Sequence, residues 1–320
     1  MIRNRAKTIL LISLVAIASV SWFSGSINSY FLDIITGIGI NVILAVSLNL
    51  INGYTGQFSL GHAGFMSVGA YTSAALTIFW GPRFLATVGG GNAVTTGTLF
   101  FFALIAGGLM AAVAGLAVGV PSLRLKGDYL AIVTLGFGEI IRVIFRNMES
   151  VGGALGLTGI PPYTNFFWVF SFAALAIYVV ACLVNSTYGR GFIAVHDDEV
   201  AAEAMGVNST KFKIIAFVVG AFFAGIAGGI YGHFKLSIDP RGFDFVKSIE
   251  IVVMVILGGM GNTVGVILAA VLLTILPEVL RPVAQYRMML YSLLLIILML
   301  TRPQGLFTPR KRALAERKTT

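Results

Sequence analysis

Charge is what this sequence has least of. Only 11% of its 320 residues are Asp, Glu, Lys or Arg, while 57% are hydrophobic; a soluble domain typically carries about 25% charge. A chain this poor in charge cannot present an ordinary polar surface to water, which excludes a conventional soluble protein and defines an integral membrane protein. Cysteine is nearly absent: Cys182 stands alone in an apolar run, so no intramolecular disulfide can form and the residue reads as a small buried hydrophobe. Three scattered histidines and one cysteine are too few for a zinc-ligand cluster or a nucleophile–base constellation. No G-x-x-x-x-G-K-[ST] sequence occurs, so the chain carries no phosphate-binding loop with which to hydrolyse ATP. The expectation is therefore a protein with no catalytic residues, no metal site and no bound cofactor.

Acid is scarcer than base, 13 residues against 22, for a net charge of +9. The positions of the bases point to topology and not to nucleic acid. Arg3, Arg5 and Lys7 precede the first apolar segment, and Arg310, Lys311, Arg312, Arg317 and Lys318 follow the last. Flanking Lys and Arg of this kind are retained on the cytoplasmic side. The basic start followed by apolar residues 8–21 has the look of a signal peptide, but no small-residue cleavage site leads into a soluble domain, so it reads as a retained first helix.

A hydrocarbon core of about 30 Å takes about 20 apolar residues per helical span. Candidate spans are 8–23, 30–50, 58–79, 98–120, 129–145, 166–184 and 214–234. Region 249–280 is too long for one span and is interrupted by Gly258-Gly259-Met260-Gly261-Asn262, which fits two short crossings or a re-entrant hairpin; 286–300 is the last span. The expected fold is an all-α integral membrane protein, a polytopic helical bundle of about 8–10 transmembrane helices with broken or re-entrant segments. With the N-terminus inside, Arg124, Lys126, the loop 185–213 and the basic tail 302–320 all lie inside, whereas Arg142 and Arg146 fit the rule less well. Gly89–Gly91 and the Gly/Pro-rich stretch 152–162 read as outer turns. With no long linker and no low-complexity tract, residues 1–320 read as one membrane domain.

Three breaks interrupt the apolar pattern. The first is NLINGYTGQFSLGHAGF at 49–65, where Gly53, Gly56, Gly61 and Gly64 alternate with Asn49, Asn52, Gln57, Ser59 and His62. Unpaired polar groups in hydrocarbon cost several kcal/mol, and irregular backbone is tolerated there only inside protein or beside a water-filled cavity. Two readings fit: a translocation path through a broken helix, or glycines that allow close packing with the polar groups bonded to neighbouring helices. The second break, Gly127-Asp128-Tyr129, opens a helix bearing Thr134 and Glu139, with Arg142 one turn beyond Glu139 and Arg146 a further turn along the same face. Glu139 is open to a functional reading or to a structural ion pair near the membrane surface. The third is LGGMGN at 257–262, ending in Asn262. Gly-interrupted segments in different halves of a chain point to a transport path. Asn52, Gln57, Ser59, His62, Thr134, Glu139 and Asn262 are its candidate lining.

The loop 185–213 is polar, charged and helix-forming for almost thirty residues. Asp197, Asp198 and Glu199 precede a short apolar run, Glu203 lies within it and Gly206 follows, which is the punctuation of a short amphipathic helix of about two turns. Asn208-Ser209-Thr210 caps the next long helix. Such a helix is suited to a groove in a soluble partner; the alternative is an ordinary solvated loop.

The stretches NGYTGQFSLGHAGFMSVG (52–69), GDYLAIVTLGFGE (127–139), TYGRGFIAVHDDEVAAEAMGVNSTKFKIIAF (187–217) and GGMGNTVG (258–265) together resemble the permease subunits of bacterial branched-chain amino-acid ABC importers, of the LivM type. The resemblance implies a multi-pass subunit of the bacterial inner membrane, importing leucine, isoleucine and valine, with urea, short amides or other amino acids as the related alternatives. It implies a second homologous permease, two ABC ATPases that hold ATP and Mg, and an extracytoplasmic solute-binding protein as partners, besides the lipid bilayer. It also implies that 185–213 carries the ATPase-coupling helix, with Asp197, Asp198, Glu199, Glu203 and Gly206 in it. Glu203-Ala204-Met205-Gly206 is a shortened form of the family's Glu-Ala-Ala…Gly pattern, lacking the second Ala and the usual spacing. A stand-alone gradient-driven transporter using Glu139 and His62, and a membrane enzyme or scaffold, are the rival readings.

Overall fold

The computed structural model describes residues 2–23, 28–87, 90, 92–122 and 127–281, together with 286, 289, 292–293, 296–297, 300 and 305–306. Its elements are α1 (Ile2–Phe23), α2 (Ser29–Asn49), α3 (His62–Ala75), α4 (Gly81–Thr87), α5 (Ala93–Ser122), α6 (Asp128–Asn147), α7 (Phe166–Val184), α8 (Thr187–Asp197), α9 (Glu199–Ala204), α10 (Ser209–Lys235), α11 (Phe245–Gly258) and α12 (Thr263–Val279). One antiparallel ladder, β1 (Leu157–Thr158) with β2 (Ser237–Ile238), ties the α6–α7 connection to the end of α10. Among the described residues the all-α expectation therefore holds apart from this two-residue clip. Among the described residues four helical segments are long and apolar enough to cross a membrane: Ser29–Tyr54, Ala93–Ser122, Phe166–Val184 and Ser209–Lys235.

Helix α10 is the hub, packed on α5, α3 and α2. The approach is set by glycine. A Cβ at Gly69 in α3 would overlap the backbone of Gly225 in α10, and one at Gly107 in α5 would meet the Gly69 carbonyl at 2.7 Å. Three helices thus touch backbone to backbone at a single level. From there α3 and α10 run side by side in one direction. Gly229 abuts Ser73, and Thr77 Oγ1 lies 2.9 Å from His233 Nε2. Helix α5 runs the other way, since Gly115 meets Ala221 and Gly119 meets Phe217.

A second unit is formed by α2 and α12, which are antiparallel. Tyr30 donates to Glu278 at 2.7 Å, Asn41 to Thr274 at 2.9 Å, and the Tyr54 and Thr263 hydroxyls lie 2.8 Å apart. Region 249–280 forms the expected pair of short helices, α11 and α12, joined through Gly259 and Gly261, both at positive φ. Leu306 returns to this joint and donates from its N–H to the Leu257 carbonyl at 2.8 Å.

Two boundaries differ from the hydropathy reading. The span expected at 58–79 begins helically only at His62, because 55–61 is irregular; α2 instead runs on through a π-helical turn, Leu50–Tyr54. The loop 185–213 holds two helices and not one. Its first, α8, is hidden in the sequence by Gly189 and Gly191. Both are contact points and not breakers: a Cβ at Gly189 would overlap the Val184 carbonyl and one at Gly191 the Phe212 ring. The span 286–300, Gly89 and Gly91, Arg124, Lys126 and the basic tail 302–320 lie outside the described residues, apart from the isolated positions given above.

Replacing Gly69 with Ala is expected to destabilise the protein by the upper part of the roughly 1–3 kcal/mol typical of overpacking, because the obstacle is the backbone of Gly225, which cannot rotate aside. Gly136→Ala, where an added Cβ meets nothing within 4 Å, serves as the control and should be neutral or slightly stabilising. Melting temperatures of the purified variants check both.

Candidate functional site

The irregular stretch 55–61 between α2 and α3 is where the sequence-predicted polar residues converge. Asn52 is 3% exposed and clasps the stretch: its Oδ1 accepts from Ser59 N at 3.2 Å and its Nδ2 donates to the Ser59 carbonyl at 3.4 Å. Thr134 reaches across from α6 and accepts from Leu60 N at 3.0 Å. His62 Nε2 lies 2.8 Å from Ser47 Oγ in α2, and Ser248 of α11 accepts from Ala63 N at 3.3 Å. Elements α2, α3, α6 and α11 thus hold the break in place by satisfying backbone donors that a continuous helix would have satisfied itself.

The third break of the sequence is brought to the first. Asn49 Oδ1 accepts from Gly261 N at 2.9 Å, and a Cβ at Gly53 would overlap that same nitrogen. Asn262, beside it, caps α12 by accepting from Gly265 N at 3.3 Å. Asn52, Gln57, Ser59, His62 and Thr134 therefore line or clasp one break, and Asn262 sits at the joint docked to it. Asn49, which the sequence placed in the break without giving it a role, is the residue that links the two. Some capacity is left over. Both amide atoms of Gln57, the Ser59 hydroxyl, His62 Nδ1 and Asn49 Nδ2 are buried and make no hydrogen bond within the described chain. Buried polar groups are almost always bonded, so this concentration marks the break as a place that can bind a polar guest.

Glu139 does not join this group. It pairs with Arg142 at 3.3 Å, the two side chains 35% and 28% exposed. The α6 positions that face α3 include Thr134, Gly138 under Gly61 and Gly64, Ile141, and Phe145, which stacks on Tyr71. Arg146, one turn further, is exposed.

The loop helices meet the break directly. Asp198 begins α9 as its N-cap, accepting from Val200 N at 2.9 Å and Ala201 N at 3.0 Å, and Gly206 ends the unit at φ 84°. Glu199 pairs with Lys213 of α10 at 2.7 Å, and Glu203 accepts from Ser209, the first residue of α10. Asp197 is exposed and lies 3.3 Å from His196 Nδ1. The acidic residues thus fasten α9 to α10, and beside the exposed Asp198 and Glu203 the helix offers two apolar side chains outward, Val200 at 69% and Met205, just past its end, at 85% exposed. On α8, His196 lies against Gly56, both at the surface. A Cβ on Gly56 would lie 3.0 Å from His196 Cδ2, and at φ 68° the position strains any residue with a side chain. The loop expected to face a partner and the break expected to line a path are in contact through these two residues.

A helical bundle with several apolar spans, two docked breaks and a loop bearing on one of them defines a multi-pass membrane protein. The chain belongs to the family of branched-chain amino acid transport system permease components, whose pattern matches residues 30–301. It is 35% identical to the high-affinity branched-chain amino acid transport system permease protein LivM of Salmonella typhimurium, and equally to that of Escherichia coli K12, over 79% of this chain and 64% of each relative. It thus spans a little under two thirds of the length of these relatives. The permease protein LivH of Escherichia coli K12 is 28% identical over 43% of this chain and 45% of its own. No solved structure matches.

Asn52→Ala leaves the Ser59 N–H unpaired and is expected to cost about 1–3 kcal/mol. The loss should be local, so amides 57–61 should exchange hydrogen faster while those at the Gly69–Gly225 crossing keep wild-type rates.

Proposed function

We propose that this chain is a permease subunit of an ATP-driven importer for leucine, isoleucine and valine in a bacterial inner membrane. It works with a second homologous permease, two ABC ATPases that bind ATP and Mg, and an extracytoplasmic solute-binding protein. The reading is supported by family membership and by similarity to the LivM and LivH permease proteins of branched-chain amino acid transport systems. The single observation that carries the mechanism is the seat of His196 on Gly56.

Helix α9 lies on the cytoplasmic side, and its exposed Val200 and Met205 enter a groove of the ATPase. Apolar side chains with little else to bury them are the natural anchors of such a contact. Because Glu199 and Glu203 hold α9 to the start of α10, and Phe212 fills the space over Gly191, the two loop helices move with α10 as one piece. A displacement imposed on α9 then reaches the break at 55–61 through His196. The break opens or closes beside Gln57, Ser59 and His62, whose unbonded polar atoms meet the passing solute. Glu139 is engaged with Arg142 at a partly exposed position, away from the Gln57–His62 break, which disfavours a gradient-driven carrier using that carboxylate.

The complex reconstituted in liposomes should take up leucine with ATP inside the assembly's ATPase compartment and not with an ion gradient alone; gradient-driven uptake by the lone chain rejects the reading. His196→Ala should lower uptake about tenfold while the complex still assembles and hydrolyses ATP. Met205→Lys should instead release the ATPases, read by co-purification.

A further inference from the structure

Away from the loop helices, α2, α3, α10 and α11 enclose a cleft of about 140 Å³. Its polar lining includes Asp33 in the second turn of α2, Lys235 at the last position of α10 and Lys247 in the first turn of α11. Ile40, Met66 and Phe234 supply apolar wall between them. Three ionisable groups gather at one small cleft although only 11% of residues are charged; Asp33 and Lys235 are exposed and Lys247 is half-buried, all at helix ends.

The opposite charges do not neutralise one another. Lys247 reaches Glu250 on its own helix at 3.1 Å, Lys235 rests 4.9 Å from the Phe234 ring, and Asp33 pairs with neither lysine. A cleft that keeps a carboxylate and two ammonium groups apart, with apolar wall between, suits a guest bearing both charges and a short greasy chain. Its volume is close to that of the cavity of about 150 Å³ that takes up a benzene-sized molecule.

We propose that this cleft is an outer recognition site for a free amino acid with a short aliphatic side chain. Lys235 and Lys247 receive its carboxylate, Asp33 its ammonium group, and Ile40, Met66 and Phe234 its side chain. Charge-assisted hydrogen bonds at both ends select the zwitterion, and the small apolar wall limits the length of the chain. The assignment rests on the importer reading for its choice of an amino acid. It lies apart from the Gln57–His62 break, so a solute arriving from outside is read here before it reaches the inner joint.

The test is titration of the full chain, in phosphatidylcholine nanodiscs, with L-leucine and with 4-methylpentanoate, which has the same chain and carboxylate but no ammonium group. Wild type should prefer leucine. Asp33→Asn should weaken leucine at least tenfold and make the two ligands bind alike, while Lys247→Gln should weaken both. Equal leucine affinity in all three proteins, or none in wild type, overturns the assignment. So does a cleft that answers to lipid: exchange of phosphatidylethanolamine into the disc, raising the melting temperature of wild type but not of Asp33→Asn, would make it a headgroup site. Leucine uptake by the whole transporter separates the two levels. Uptake unchanged by Asp33→Asn removes the cleft and leaves the importer standing, whereas no uptake in wild type removes the importer reading itself.

Discussion

Everything in this bundle is referred to the level at which α3, α5 and α10 touch through Gly69, Gly107 and Gly225. In a membrane the hydrophobic effect does not draw helices together, because lipid tails are as apolar as leucine; close packing and interhelical hydrogen bonds must do so. Removing side chains from three helices at one level lets their dispersion contacts accumulate along the backbone itself. The polar features lie outward from this anchor in both directions. The break and the loop helices are toward one end, and the cleft of Asp33, Lys235 and Lys247 is toward the other.

The acidic residues of the loop illustrate how a single sequence pattern serves two ends. Asp198, Glu199 and Glu203 look like a charged docking surface when read in line. In the fold each accepts a donor of its own chain: an N-terminal turn, Lys213 and Ser209. An N-cap of this type is worth about 1 kcal/mol. Charge so used stiffens a small element that has no core of its own, and leaves Val200 and Met205 as apolar side chains directed outward.

Much of the bundle was legible in the sequence because a 20-residue apolar run has few alternatives in a membrane. The ends of α7, the N-cap at Asn208 and the division of 249–280 into two helices all follow from such local signals. The polar break at 49–65 was legible for the same reason, as an exception to apolarity. What escaped was whatever depends on residues distant in sequence. Helix α8 does not stand out within the loop, because the neighbours that Gly189 and Gly191 admit, Val184 and Phe212, are known only once the chain has folded. The meeting of Asn49 with Gly261, and of Gly56 with His196, has no local signature at all. Asp33, Lys235 and Lys247 are unremarkable singly, and their grouping is a property of helix ends that α2, α10 and α11 bring to one place. Glu139 shows the reverse: conspicuous in sequence, it pairs with a partner one turn away and stays partly exposed, apart from the break.

The three hydrogen bonds along α2 and α12, at Tyr30, Asn41 and Tyr54, have a mechanical consequence. Bonds at both ends and the middle of an antiparallel pair act as a vernier: sliding one helix past the other breaks all three together, while tilting the pair as a unit breaks none. The bundle is in this sense a linkage of two stiff members, the α2–α12 strut and the α3–α5–α10 block. Residues 55–61 form the one covalent joint between α2 and α3. The strut and the block meet again where α10 packs on α2 and where α11 links α10 to α12, so a change of angle between them falls on the short joint at 55–61, where Gly56 holds the left-handed backbone angle that few residues tolerate.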